Sequence, residues 1–169
     1  MMSVGESFPD TFALNGVDRN NNMVRFTDND LYGDWSVIYF YPKDFTFICP
    51  TEIAAFDSLV NHCNVVGISG DNEFCKLAWK KDNDMIANIH HTLAADCGNY
   101  LAEDLGIVSD DNVPYRATFI VDDMNWIQHI SINVLDTGRN ADETLRTLKA
   151  LRAGGLTGCS WQEGEDFVA

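Results

Sequence analysis

The sequence predicts one α/β sandwich, and three observations carry that prediction. The run Trp35-Ser36-Val37-Ile38-Tyr39-Phe40-Tyr41 is β-branched and aromatic, as a buried central strand requires, and Pro42 ends it. Ile53, Phe56, Leu59 and Val60 recur at helical spacing before a second strand-like run, Asn64–Ser69, so the two strands flank a helix and pair in parallel as a βαβ unit. Ala117–Val121 and Trp126–Val134, joined across Asp122-Asp123-Met124-Asn125, then read as a hairpin followed by a helix.

Taken in order, Phe12-Ala13-Leu14 and Met23-Val24-Arg25-Phe26 flank the turn-rich stretch Asp18–Asn22 and form a first hairpin. The central strand follows, then a helix over roughly 50–61, the strand Asn64–Ser69 and a helix over about 72–81. A short strand near 92–95 and a short helix near 100–105 precede the second hairpin. The last helix covers about 142–151 and is stopped by Gly154 and Gly155. Hairpin, βαβ and ββα together make a thioredoxin-like α/β sandwich with an N-terminal β-hairpin extension and a short C-terminal arm. The domain is expected over 1–152 and the arm over 153–169.

The totals agree with one domain. The chain has 169 residues, 46% of them hydrophobic, enough for a sizeable core. No apolar run approaches the roughly 20 residues of a membrane span. Met1–Glu6 has neither a basic nor an apolar leader segment, which makes a cytoplasmic address the expectation. The net charge of -15, without clustered Lys or Arg, argues against nucleic acid. It serves solubility or the recognition of a basic partner.

The five cysteines, Cys49, Cys63, Cys75, Cys97 and Cys159, are odd in number and contain no C-x-x-C. A disulfide scaffold, a structural zinc site and a thioredoxin-type dithiol are all poor fits. His90-His91 would point apart in a strand and lack a second ligand pair, so no metal is expected, and His62 and Cys63 read as structural. Gly67 and Gly70 form no phosphate loop, and no cofactor is expected. Trp35, Trp79, Trp126 and Trp161 read as core or interface residues.

Chemistry concentrates in Phe40–Glu52. A buried strand ends, a short loop follows, and Cys49 sits where a helix begins, with Pro50 at the first helical position. A helix N-terminus offers free N–H groups and partial positive charge, which stabilise a thiolate and lower a cysteine pKa from about 8.5. Thr46 lies three residues before Cys49, and Pro42 shields the loop from water. Position alone leaves two readings open: a reactive thiolate, or a buried inert cysteine.

Pro42, Thr46 and Cys49 reproduce the pattern P-x-x-x-T-x-x-C, and the flanking Phe40–Glu52 resembles the typical two-cysteine peroxiredoxins, the subgroup that includes bacterial alkyl hydroperoxide reductase C. Tyr115–Asp122 is similar to the family's R-A-T-F-x-x-D strand, and Lys76-Leu77-Ala78-Trp79 and Gly138-Arg139-Asn140 fit as well. The resemblance spans nearly the whole chain. It implies a thiol peroxidase reducing hydrogen peroxide and alkyl hydroperoxides, with Cys49 as the peroxidatic cysteine. It further implies that Thr46 hydrogen-bonds the thiolate and the peroxide, that Arg116 donates to both, and that Pro42 packs over the site. Glu52 and Arg139 would hold Arg116 and the loop.

The resemblance also implies a resolving thiol on the C-terminal arm of a partner subunit, and Cys159 fills that place. Trp161 follows it by two residues where the family has four, so Cys97 and Cys75 stand as alternatives. The family's over-oxidation-prone members carry a G-G-L-G loop and a Tyr-Phe ending, and this sequence has neither, which implies resistance to sulfinic acid formation. Implied partners are a homodimer, or a decameric ring of dimers, and a protein dithiol reductant. That reductant is a thioredoxin-like or glutaredoxin-like protein or a flavoprotein reductase subunit. A general thiol–disulfide oxidoreductase fits less well, because Thr46 and Arg116 have no role in disulfide exchange. A redox-sensing or chaperone-like assembly is the non-enzymatic alternative.

Overall fold

The computed structural model describes residues 1–169. The strands are β1 (Ala13–Val17), β2 (Met23–Thr27), β3 (Ser36–Phe40), β4 (Asn64–Ser69), β5 (Thr92–Ala95), β6 (Arg116–Val121) and β7 (Ile127–Asn133). The helices are α1 (Cys49–Phe56), α2 (Glu73–Asp82), α3 (Tyr100–Leu105) and α4 (Ala141–Ala153), with 3-10 turns at Asp28–Leu31 and Asp57–Asn61. The strands form one mixed sheet in the order β2-β1-β5-β4-β3-β6-β7. No helix is long and apolar enough to cross a membrane.

The βαβ prediction holds: β3 and β4 are parallel in the register Tyr39↔Gly67, and β4 continues in parallel with β5. β6 closes antiparallel on β3, and β7 on β6. The N-terminal hairpin is more than an appendage, because β1 pairs antiparallel with β5 and so extends the central sheet. The expected helix over 50–61 is α-helical only to Phe56 and then tightens to the 3-10 turn. The 3-10 turn at Asp28–Leu31 was not legible as an apolar pattern. The Asp30 carboxylate fixes its start by accepting from the Thr27 backbone N–H at 2.8 Å.

All five residues of β3 are buried, and their alternation divides the core. Ile38 and Phe40 join a cluster with Phe8, Phe119 and the α3 residues Leu101, Ala102 and Leu105. Tyr39 faces the other side and stacks on Phe56 of α1 with ring centroids 4.4 Å apart. Tyr41, just past β3, lies beside Trp79 of α2. Gly67 is opposite Tyr39, and a side chain there would collide with the Tyr39 phenol. Of the four tryptophans read as core or interface residues, Trp79 and Trp161 are buried, Trp35 is half-buried and Trp126 is 44% exposed.

The chain groups into two compact units, Met1–Arg139 and Asn140–Ala169. The first holds the whole sheet and α1 to α3. The second is α4 with the arm, so the expected boundary at 152/153 falls inside it. The reason is local bonding. Arg146 of α4 donates to the Trp161 carbonyl at 3.0 Å, Lys149 pairs with Glu163, and Trp161 stacks on Phe167.

Candidate active site

Cys49 is the first residue of α1, and Pro50 beside it needs no N–H partner in the first turn. The thiol is enclosed, with 0% of the residue exposed. The antiparallel register of β6 on β3 carries Arg116 to the carboxyl end of β3, where the Cys49 loop starts. There Arg116 Nη1 lies 3.5 Å from Cys49 Sγ and donates to Glu52 Oε2 at 2.8 Å. Its Nε donates to the Leu135 carbonyl at 2.6 Å, which fixes the plane of the guanidinium.

Glu52 is one turn along α1 from Cys49, on the same face. Arg139 grips it from the other side: Nη2 donates to Oε2 at 2.8 Å, and both Nε and the backbone N–H donate to Oε1 at 3.0 Å. The Arg139 guanidinium lies over the Tyr39 and Phe56 rings, 5.3 and 5.2 Å from their centroids. Its Nη1 donates to the Ala117 carbonyl at 2.8 Å. The site is therefore a buried row of Cys49, Arg116, Glu52 and Arg139 in which charges alternate once Cys49 ionises.

Burial alone would raise the Glu52 pKa, but the Arg139 and Arg116 contacts outweigh it and hold the carboxyl below its usual range. Burial likewise opposes the Arg116 charge. The hydrogen bond to Cys49 and the Glu52 carboxylate outweigh it and raise the guanidinium pKa further. Arg116 is thus a permanent cation with a free donor face toward the sulfur. A group of this kind can stabilise a thiolate and any oxygen that gains charge as the thiolate attacks it.

Sequence expectation and structure part at Thr46. Its hydroxyl donates to the Lys43 carbonyl at 2.8 Å rather than to Cys49, because the loop turns tightly between those two residues. Pro42 is half-buried at the exit of β3 and lines a 260 Å³ cavity with Lys43, Gly70, Asp71 and Asn99. Cys49 is not part of that lining. All five cysteines are free thiols. Cys159 is exposed in the second unit, its Sγ 3.7 Å from Ser160 Oγ. Cys75, one of the alternatives, is pushed up to about 11 by burial and by the carboxylates of Asp44 and Asp71, and Cys97 is also raised, mainly by burial. Both therefore carry a smaller thiolate fraction near neutral pH than an ordinary cysteine.

Two polar clusters escaped the sequence. His90 and His91 do not point apart: both ring Nδ1 atoms meet the Asp57 carboxylate, at 2.9 and 2.8 Å. His91 Nε2 also bonds the Tyr39 hydroxyl at 2.7 Å. The second cluster joins Tyr41, Asp44, Ser69, Asp71 and Lys76 beneath the Cys49 loop. Asp44 belongs to the motif-bearing stretch, but nothing in the pattern marked it as buried.

The chain is similar to known proteins over most of its length. The model of the AhpC/TSA family matches residues 4–130. The chain is 37% identical over 183 residues to alkyl hydroperoxide reductase C of Mycolicibacterium smegmatis, covering 99% of this chain and 94% of that one. It is 36% identical over 178 residues to peroxiredoxin-1 of Gekko japonicus, covering 98% and 89%. The reduced 2-Cys peroxiredoxin of Plasmodium vivax superposes with a TM-score of 0.92 at 32% identity, covering 98% of this chain and 92% of that one. The corresponding figures for Mycobacterium tuberculosis AhpC are 0.86, 32%, 96% and 99%.

Proposed function

The chain belongs to the AhpC/TSA family and is a thiol-dependent peroxidase, and we propose that Cys49 is the residue that attacks the peroxide. The observation that carries this reading is Arg116 Nη1 lying 3.5 Å from Cys49 Sγ while Glu52 holds the same nitrogen at 2.8 Å. The Cys49 thiolate attacks the terminal oxygen of the hydroperoxide in line. The S–O bond forms as the O–O bond breaks, and the departing oxygen leaves as water or alcohol after taking a proton. Arg116 stabilises the thiolate and then the charge on the departing oxygen. Thr46 is proposed to turn from Lys43 toward the bound peroxide, a rotation about one side-chain bond. Pro42 is proposed to keep water from the loop.

The product is Cys49 sulfenic acid, which condenses with a second thiol and releases water. We assign that thiol to Cys159, which is exposed on the arm past α4 where the family carries its resolving cysteine; Cys97 is exposed as well, but it lies in the loop before α3 and not on the arm. The resulting disulfide would join two subunits of a homodimer, which could assemble further into a decameric ring. A protein dithiol reductant, thioredoxin-like or the flavoprotein subunit of an alkyl hydroperoxide reductase, would reopen it by thiol–disulfide exchange. Non-reducing electrophoresis after one equivalent of peroxide tests the pairing. A linked dimer is expected, and it should be lost in Cys159→Ser but kept in Cys75→Ser and Cys97→Ser. A dimer that survives Cys159→Ser would assign the resolving role elsewhere.

A further inference from the structure

A disulfide brings two sulfurs within about 2.05 Å of each other. Cys49 Sγ is enclosed, so the segment that carries it must open before a second thiol reaches it. What holds that segment shut is visible beneath the loop. Between Pro42 and Phe47, every side-chain hydrogen bond to the rest of the fold runs through Asp44. Its carboxylate accepts from Tyr41 Oη at 2.7 Å and from Ser69 Oγ at 3.2 Å, and its backbone N–H donates to Asp71 Oδ2 at 2.7 Å. Lys76 of α2 supplies the charge that balances it. Lys76 Nζ is 3.3 and 3.4 Å from the two carboxylate oxygens, and it also donates to Ser69 Oγ at 2.6 Å and Tyr41 Oη at 3.1 Å. Its three protons are thereby all used.

Both side chains are 0% exposed. Buried charge pairs are weak sources of stability, but removing one partner leaves a charge that the interior cannot solvate. Such a pair has two acceptable states: closed and matched, or open with Asp44 in water. The atoms of Asp44, Asp71 and Cys75 converge closely enough to suggest a metal site, but the Lys76 ammonium already serves this cluster.

We propose that the Lys76–Asp44 pair is the latch of the Cys49 loop. Given the peroxidase reading above, Lys76 is a positioning residue that sets how long the Cys49 sulfenic acid stays closed before the resolving thiol reaches it. While the loop is closed, Cys49 faces Arg116 and reacts with peroxide. While it is open, Cys49 condenses with the second thiol. The latch should therefore speed the first step and slow the second.

Lys76→Met, Asp44→Asn and the double variant test this on the full-length protein. Hydrogen exchange of the amides of residues 43–48 should accelerate about tenfold in Lys76→Met and recover in the double variant, where no lone buried charge remains. Rapid mixing with peroxide, followed by tryptophan fluorescence, should show the first phase slowed about tenfold and the second accelerated severalfold in Lys76→Met. General destabilisation would slow both phases. If Lys76→Met fails to fold, Asp44→Asn, which leaves Lys76 bonded to Ser69 and Tyr41, should move exchange and both phases in the same directions. Unchanged exchange overturns the latch. Faster exchange with both phases moving together overturns its role in partitioning. A wild-type protein with no peroxide-dependent phase contradicts the peroxidase reading, and hydrogen exchange then judges the latch alone.

Discussion

Arg116 and Glu52 meet at 2.8 Å through the same guanidinium nitrogen that lies 3.5 Å from the sulfur of Cys49. One donor atom thus couples the nucleophile to a buried carboxylate. Arg116→Gln removes the cation and should lower the second-order rate of Cys49 with hydrogen peroxide by about 10²–10³-fold, the scale of losing one fixed donor to a charged transition state. Arg116→Lys should recover little of it, because a point charge cannot serve Sγ, Glu52 and Leu135 in the geometry of the planar fork. Stopped-flow kinetics at varied peroxide would measure both.

Glu52 is the shared counter-ion of Arg116 and Arg139. Glu52→Ala leaves two buried guanidinium groups without it, at a cost of about 3–5 kcal/mol. For a chain of this length that is a fall in Tm on the order of 10 °C, measurable by calorimetry. A fall of only a degree or two would mean that water, rather than Glu52, neutralises the pair.

Thr46 discriminates between a catalytic and a purely local role. Thr46→Val keeps the shape of the side chain but loses the hydroxyl. It should slow the first step at least tenfold, while Thr46→Ser stays within a few-fold of wild type. If Thr46→Val reacts at the wild-type rate, the bond to the Lys43 carbonyl is the whole of its function.

Stability should fall on acidification in two stages. His91 is buried, and burial outweighs the Asp57 contact, so its folded pKa lies below 6.5. Its neutral ring donates to Asp57 and accepts from Tyr39. A depressed pKa gives stability that is complete above the unfolded value of about 6.5 and lost as pH falls through the folded value. Glu52 also has a depressed pKa, so its contribution is complete above about 4.5 and lost at lower pH. Tm should therefore decline first as pH falls below about 6.5 and again below about pH 4.5, and His91→Gln should remove the upper stage. A Tm that is flat from pH 7 to 5 would contradict the assignment.

The sequence showed most of the fold wherever local chemistry decides it. Asn64–Ser69, Thr92–Ala95 and Tyr100–Leu105 emerge with the bounds expected, because turn residues bracket each and apolar runs fill them. The attachment of β1 to β5 depends on partners far apart in the chain, which no local pattern encodes. Within the site, Cys49, Arg116, Glu52 and Arg139 came from family motifs, and the structure brings these four together. Lys76 and Lys80 defeated pattern reading. They share the buried face of α2 with Trp79 while Phe74 is exposed, the reverse of what hydropathy expects. A lysine four residues from another lysine and beside a tryptophan is the only hint that the face is inverted.

Cys49 is proposed as the nucleophile, and its oxidation product can be trapped. The most direct test is to treat the Cys159→Ser protein with one equivalent of hydrogen peroxide in the presence of a sulfenic-acid trap and to locate the adduct by peptide mass spectrometry. Near-stoichiometric labelling of Cys49 is expected, and none in the Cys49→Ser, Cys159→Ser double variant. An adduct centred on Cys63, Cys75 or Cys97, or undiminished peroxide consumption by the double variant, would contradict it.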